Sequence, residues 1–275
     1  MTHTATGTIA GGEGVKIAYW RSGDASGRPI VLVHGTTSSH RTYDELVPHV
    51  SALRPTVTYD RRGRGESGES PSVEYSIELE GQDAAAVIDT IAREAGEPVD
   101  VIGHSYGAFV ALSALAHTDQ VRALVAYSPG FGASYPPGTL ENVESAIADD
   151  DTDEALQVIF REIIGMEQPD IDVLRDSPVW EVRRELAWSV PRECREDAAF
   201  VEGHVFQLQA IDIPVAILSG ENNTEQKRQI ATRLGELIPT SVVTELAGEG
   251  HAAHHTAPAA LTAAAIAFFD GLPQQ

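Results

Sequence analysis

The sequence predicts an α/β fold: a mostly parallel sheet flanked by helices, carrying one helical insertion. Three observations predict it. Short β-branched runs alternate with segments of helical period along most of the 275 residues, the pattern of repeated βα units. The run Pro29 to Val33 is continuously apolar, as a strand covered on both faces must be. The alternation stops near residue 131 and resumes after 204, so a core of 1–130 and 205–275 is expected to carry a helical lid of 131–204.

In chain order, Val15 to Trp20 reads as an early strand paired with Gly7 to Ala10. The apolar run Pro29 to Val33 is followed by a helical period over Thr42 to Leu53, then a strand over Pro55 to Tyr59. Gly63, Gly65, Gly68 and Pro71 mark a polar loop. Ser76 is placed to cap a helix running to Ala95, with Glu80 near its start. Pro98 to Ile102 is a strand, Ala108 to Ala116 a helix, and Val121 to Tyr127 the next strand. Within the insertion, Pro136, Pro137, Pro169, Pro178 and Pro191 punctuate helices. Ile213 to Leu218, a helix over Thr224 to Leu237, the strand Ser241 to Leu246 and an Ala-rich helix close the chain.

Composition narrows the function. A hydrophobic content of 42% is ample for a core, and the one cysteine, Cys194, permits no intrachain disulfide. Its polar surroundings offer no partner histidine, so it reads as a bystander thiol. The net charge is −22, with Lys16 and Lys227 the only lysines. Such a surface repels phosphate backbones and anionic lipid, so neither nucleic acid nor membrane is an expected partner; a small molecule is. The first residues lack a basic segment followed by an apolar run, and no apolar stretch is long enough for a bilayer. The expected compartment is cytoplasmic. The acidic run Asp149 to Glu154 lacks the spacing of a calcium loop and reads as the first turn of a helix.

Gly103-His104-Ser105-Tyr106-Gly107 carries the chemistry. It reads G-x-S-x-G with a strand before and a helix after, the context in which that pattern marks a nucleophile elbow. Glycines are needed there because neighbouring backbone crowds a strained serine. His34-Gly35-Thr36-Thr37 follows the strand ending at Val33. This loop can aim the Thr36 N–H at the same point as that of Tyr106, forming an oxyanion site, with His34 and Gly35 beside the substrate. His251 follows a strand through Gly248-Glu249-Gly250, and serine before histidine is the expected chain order. A neutral imidazole there accepts the Ser105 proton and returns it to the leaving group. Although His254 and His255 are close, His251-Ala252-Ala253-His254-His255 is not a metal motif. No metal or cofactor is expected.

Two other motifs carry less. Gly63-Arg64-Gly65-Glu66-Ser67-Gly68 matches G-x-G-x-x-G, but Pro71 and a polar loop follow it instead of a helix. Arg61, Arg62 and Arg64 lie beside Asp60, Glu66 and Glu69 and are expected to form a local charge network with them.

Taken together, His34-Gly35, the segment Asp60 to Ser67, the elbow at Ser105 and Gly250-His251 resemble the α/β-hydrolase superfamily, in order and over nearly the whole chain. The resemblance implies an eight-stranded, mostly parallel sheet with a lid, and a Ser–His–acid triad without cofactor. The acid departs from the pattern. The turn after the penultimate strand reads Ser219-Gly220-Glu221-Asn222-Asn223, with Asn223 in the acid's slot and Glu221 two residues away. The other slot, after the strand preceding the lid, holds Ser128. An asparagine can orient an imidazole through its carbonyl, as in Cys–His–Asn sites, without supplying charge. Asn223 and Glu221 are therefore both candidates for the third position, beside the alternatives of a residue elsewhere or no third member.

The reading that follows is a serine hydrolase cleaving an ester, thioester or lactone of a small to medium apolar molecule. Lid aromatics, Trp180 and Trp188 among Phe131, Tyr135, Phe160 and Phe200, are candidates to line its pocket or to pack the lid. Two alternatives stay open: a lyase, cyclase or cofactor-free oxygenase using His251 as base, and an inactive ligand-binding member.

Overall fold

A computed structural model describes residues 5–69, 74–130, 135–176 and 179–273. Eight strands form one sheet: β1 (Gly7–Ala10), β2 (Lys16–Ser22), β3 (Ile30–Val33), β4 (Thr56–Tyr59), β5 (Val99–His104), β6 (Val121–Tyr127), β7 (Val215–Gly220) and β8 (Ser241–Leu246). Their order is β1-β2-β4-β3-β5-β6-β7-β8. β1 and β2 pair antiparallel, β2 meets β4 antiparallel, and the other pairings are parallel. Every residue of β3, β4, β5 and β7 is buried, so these central strands are covered on both faces, and β3, Ile-Val-Leu-Val, reads as a continuous apolar run. The expected mostly parallel α/β sheet is the architecture observed.

Helices cover both faces. Before β6 stand α1 (Val47–Ser51), α2 (Ile77–Ala95) and α3 (Tyr106–Ala114). Ser76 caps α2, its hydroxyl accepting from the Leu79 N–H at 3.3 Å, and Gly96 ends the helix in left-handed conformation. The helical period over Thr42 to Leu53 resolves into a 3₁₀ turn at His40–Tyr43 and the short α1. Pro48 at the start of α1 explains the break, since proline is tolerated in the first turn of a helix but not within it.

Between β6 and β7 the described residues form helices without a strand: α4 (Thr139–Ala148), α5 (Thr152–Val158), α6 (Gln168–Arg175), α7 (Val179–Arg184), α8 (Val190–Gly203) and α9 (Val205–Gln209). Asp151 caps α5 by accepting from the Glu154 N–H at 3.1 Å, so the acidic run is the start of a helix, as its position before Ala155 implies. Cys194 is buried on α8, where burial pushes its thiol pKa up. After β7 come α10 (Glu225–Leu237), capped by Thr224, then α11 (Ala253–Thr256) and α12 (Pro258–Gly271). Among the described residues no helix is long and apolar enough to cross a membrane.

The three arginines after β4 are fully buried, and their partners differ from the expected ones. Arg61 donates to Glu80 at 3.1 Å and to Glu193 at 2.7 Å. Arg64 reaches the same two carboxylates, and Arg62 forms a two-pronged bond with Asp83 at 2.7 and 2.9 Å. Asp60 instead accepts from His40 and from the Glu66 N–H, and Glu69 pairs with Arg192 at 2.8 Å. Burial acts against the Arg61 charge, yet Glu193 and Glu80 raise its pKa. Glu80 is on α2 and Glu193 on α8, so the cluster joins the insertion to the core. Those partners lie 16 or more residues away, beyond the reach of local sequence reasoning.

Candidate active site

Ser105 sits between β5 and α3 at φ 56° and ψ −127°, a backbone conformation that L residues rarely adopt. The two elbow glycines have separate reasons. A Cβ on Gly107 would meet the carbonyl oxygens of Val33 and His34 at 2.3 and 2.4 Å, and one on Gly103 would meet Ala108 Cα at 2.7 Å. The turn is therefore wedged between the end of β3 and its own helix. Gly35 passes directly over the serine, where a Cβ would stand 3.0 Å from that of Ser105. This contact brings the Thr36 segment to the elbow. Tyr106 is the first residue of α3, so its N–H belongs to the helix N-terminus, where partial positive charge collects. The Ser105 and Thr36 hydroxyls are enclosed without a hydrogen-bond partner.

His251 is brought to the elbow by its chain neighbour in space, His104. The Nε2–H of His104 donates to the His251 carbonyl at 2.9 Å, and the two rings lie 4.8 Å apart. His254 packs against His104 as well, with the ring centres 4.1 Å apart and the planes tilted by 46°. Burial pushes His104 down to about 3. It also drives His251 well below its ordinary value, helped by the positive charges of Lys227 and Arg183. The imidazoles are neutral at ordinary pH. Among the described residues no group of three or more His, Cys, Asp or Glu side chains is arranged to hold a metal ion.

The Nδ1 edge of His251 meets a hydroxyl. Ser128 Oγ is 2.6 Å from it, and Asn223 Nδ2 donates to Ser128 Oγ at 3.0 Å and to Ser219 Oγ at 3.2 Å. Both acid slots thus converge, one behind the other. Ser128, following β6, touches the imidazole, and Asn223 stands behind Ser128. Glu221 is elsewhere: exposed, with its carboxylate accepting from the Gly248 N–H at 2.7 Å. Ser128 shares with Ser105 a positive φ, 46°. Thr37 at 44° is the third such residue here, and the remaining non-glycine cases, Glu13 and Asp150, are exposed. Strain of this kind persists where surrounding structure enforces it.

Several candidates from the sequence have other work. His34 is buried with both ring nitrogens engaged, Nδ1–H donating to Gly35 O at 2.9 Å and Nε2 accepting from the Arg61 N–H at 3.1 Å. It holds the loop and offers no free edge to a ligand. Trp180 donates to Asp153 at 2.8 Å and packs on Phe160, inside the insertion. Trp188 lies over Gly63 and under the Arg192 guanidinium, 4.4 Å from its ring centre. Phe131 lies outside the described residues.

Sequence reasoning passed over His104, Lys227 and Arg183. Lys227, on α10, is buried, which lowers its amine to about 8. Arg183, on α7, donates to Thr37 Oγ1 at 3.0 Å. Nothing local distinguishes either from a surface cation; only the scarcity of lysine singled out Lys227. A separate groove runs past Pro98, Leu115, Leu208 and Pro214, at the opposite end of the strands from Ser105.

Comparison with known proteins agrees with the fold. A model described as "Alpha/beta hydrolase family" matches residues 30–265. A probable oxidoreductase, EphD, of Mycobacterium tuberculosis is 38% identical over 96 residues, 34% of this chain and 16% of that one. The pimeloyl-[acyl-carrier protein] methyl ester esterase of Neisseria meningitidis is 34% identical over 98 residues, 35% of this chain and 34% of that one. The matches thus span about a sixth and about a third of those relatives. An alpha/beta hydrolase from Sphaerobacter thermophilus, of known structure, superposes with a TM-score of 0.81 at 27% identity, covering 96% of this chain and 100% of that one.

Proposed function

Since the chain belongs to the alpha/beta hydrolase family, we propose that it is a serine hydrolase cleaving a carboxylic ester, thioester or lactone through an acyl-enzyme. The observation that carries this reading is Ser105 itself. It is held at positive φ on the elbow with its hydroxyl unpartnered and the Gly35 backbone against its Cβ. Such strain is hard to explain as packing alone.

In the proposed sequence, Ser105 Oγ attacks the carbonyl carbon as His251 Nε2 accepts the hydroxyl proton. The carbonyl oxygen becomes an oxyanion held by the Thr36 and Tyr106 N–H groups. Collapse breaks the bond to the leaving oxygen or sulfur, which takes the proton from His251. Water then repeats the attack on the acyl-Ser105 ester with the same base. For His251 to act so, its proton must reside on Nδ1. Ser128 Oγ would accept it, and Asn223 Nδ2, which also bonds Ser219 Oγ, donates to that oxygen. Lid residues 131–204 would close over the acyl group, and the protein would act on a small molecule, without cofactor, in the cytoplasm.

The experiment is labelling by a fluorophosphonate, followed by an ester, thioester and lactone panel on wild type and Ser105→Ala. Stoichiometric labelling of wild type and none of Ser105→Ala supports the reading. Folded wild type that neither labels nor turns over any member of the panel would sink it. One observation favours a second reading: among the described residues no carboxylate contacts His251. A reaction begun by proton abstraction at His251, without an acyl-enzyme, would survive Ser105→Ala and vanish in His251→Ala.

A further inference from the structure

We propose that the substrate of this site carries a carboxylate, held by Arg183. The inference deepens the hydrolase reading and takes its reacting centre from it. The position of Arg183 is unusual within this chain. Among the described residues every other arginine except the exposed Arg93 forms an ion pair with an Asp or Glu. Arg183 forms none, in a protein with a net charge of −22 and acidic side chains to spare. Among the described residues its hydrogen bond is to the Thr37 hydroxyl, at 3.0 Å. Its Nε is enclosed without a partner, and its guanidinium lies 5.6 Å from the centre of the Phe160 ring. Arg183 is half-buried; a charge partly withdrawn from water without a counter-ion carries a cost, which is relieved when a ligand brings the opposite charge.

The location argues for substrate over a remote anion. Thr37 is two residues beyond Gly35, the residue packed on Ser105, and it holds a left-handed backbone that a β-branched residue rarely accepts. The enclosed, unpartnered Thr36 hydroxyl adds a donor next to it. Arg183 also acts on the site electrically: its charge is among those depressing His104, His251, His254 and His255. Where a Ser–His–acid site has a resident carboxylate, this one has none on His251 and a guanidinium without its anion. A planar guanidinium suits a carboxylate, with donors that pair with both oxygens.

Two substrate pairs test it, each differing in one carboxylate: p-nitrophenyl hydrogen glutarate against p-nitrophenyl pentanoate, and 4-carboxyphenyl against 4-acetylphenyl pentanoate. Wild type should prefer the anionic member of at least one pair by about 10- to 100-fold in kcat/KM, the worth of a charged hydrogen bond. Arg183→Gln should bring that ratio to within about twofold of unity. Arg183→Met, which keeps the apolar stem on Phe160, reads the same ratio if the glutamine variant does not fold. No preference in either pair, or a preference that both variants keep, would overturn the proposal. Calorimetric titration of glutarate and 4-hydroxybenzoate into Ser105→Ala separates its failure from that of the hydrolase reading. Binding lost on adding Arg183→Gln upholds the carboxylate site even if no ester is cleaved. If no ester is cleaved and neither acid binds through Arg183, the carboxylate site falls as well.

Discussion

Ser128 Oγ lies 2.6 Å from His251 Nδ1, where a hydrolase triad would have a carboxylate. The hydroxyl can set the imidazole tautomer but could not neutralise the imidazolium that the proposed proton transfer from Ser105 would create. The environment adds to that deficit, because burial and the nearby Lys227 and Arg183 all disfavour a charged His251. In the proposed mechanism His251 would be a neutral base with weak support for its conjugate acid.

That arrangement predicts opposite effects at one position. Ser128→Ala removes the Nδ1 partner and should lower kcat about 10- to 100-fold with little change in KM. This is a milder loss than the roughly 10⁴-fold drop when a triad aspartate becomes asparagine, since no charge is lost. Ser128→Asp supplies the charge and should raise kcat and move the acid limb of the pH profile upward. Unchanged kcat in Ser128→Ala would remove Ser128 from the proton path.

Glu221 serves as the contrast. Its carboxylate is exposed and bonded to the Gly248 N–H, so Glu221→Gln should keep kcat/KM within about twofold and Tm within a few degrees, as surface substitutions do. A loss of a hundredfold would instead place Glu221 in the triad.

Acidification should destabilise the fold. His34, His104, His251 and His254 all have pKa values lowered by burial, against about 6.5 in the unfolded chain. Below about 6.5 the unfolded state binds protons that the folded state refuses, so stability is fully present above that pH and falls as pH drops toward the folded values, about 3 for His104. Each such histidine costs up to about 1.4 kcal/mol per pH unit in that window. Asp83, pushed up to about 6 by burial against the pull of Arg62, has the opposite sign and offsets part of the loss. Urea midpoints at pH 7 and pH 5 measure the balance; equal midpoints would mean that the buried imidazoles are not neutral as described.

Removing Glu193 should unfold more than the insertion. Arg61 and Arg64 both end on its carboxylate in the interior, and breaking one side of a buried pair costs about 3–5 kcal/mol by stranding the other. Glu193→Ala should therefore lower global stability by that order in denaturant titration. A loss below about 1 kcal/mol, in the range of surface pairs, would show that water screens the cluster.

Gly107→Ala should be harmful out of proportion to one methyl group. The added Cβ would stand 2.3 Å from Val33 O, and backbone cannot yield as a side-chain tip does. A loss of about 1–3 kcal/mol or more, with activity falling further as the elbow shifts, is expected in thermal melts and kinetics. Wild-type stability in this variant would mean that the turn is looser than described.

The sequence by itself determined the sheet, the elbow and the order of its partners. Those signals are local: an apolar run where a strand is buried on both faces, a helix cap at Ser76, a serine between two glycines. It also marked both slots around the missing acid, Ser128 and Asn223. What it left open depends on distances between segments far apart in the chain. Ser128 and Asn223 stand one behind the other because β6 and β7 are neighbours in the sheet, with Tyr127 opposite Leu218. Arg61 and Arg64 are neutralised by α2 and α8, since a guanidinium pairs with whichever carboxylate the fold brings to it. Arg183 has no acidic partner among the described residues because α7 delivers it to Thr37, 146 residues back in the chain. Periodicity and capping are written within a few residues, whereas charge compensation is a property of the folded interior.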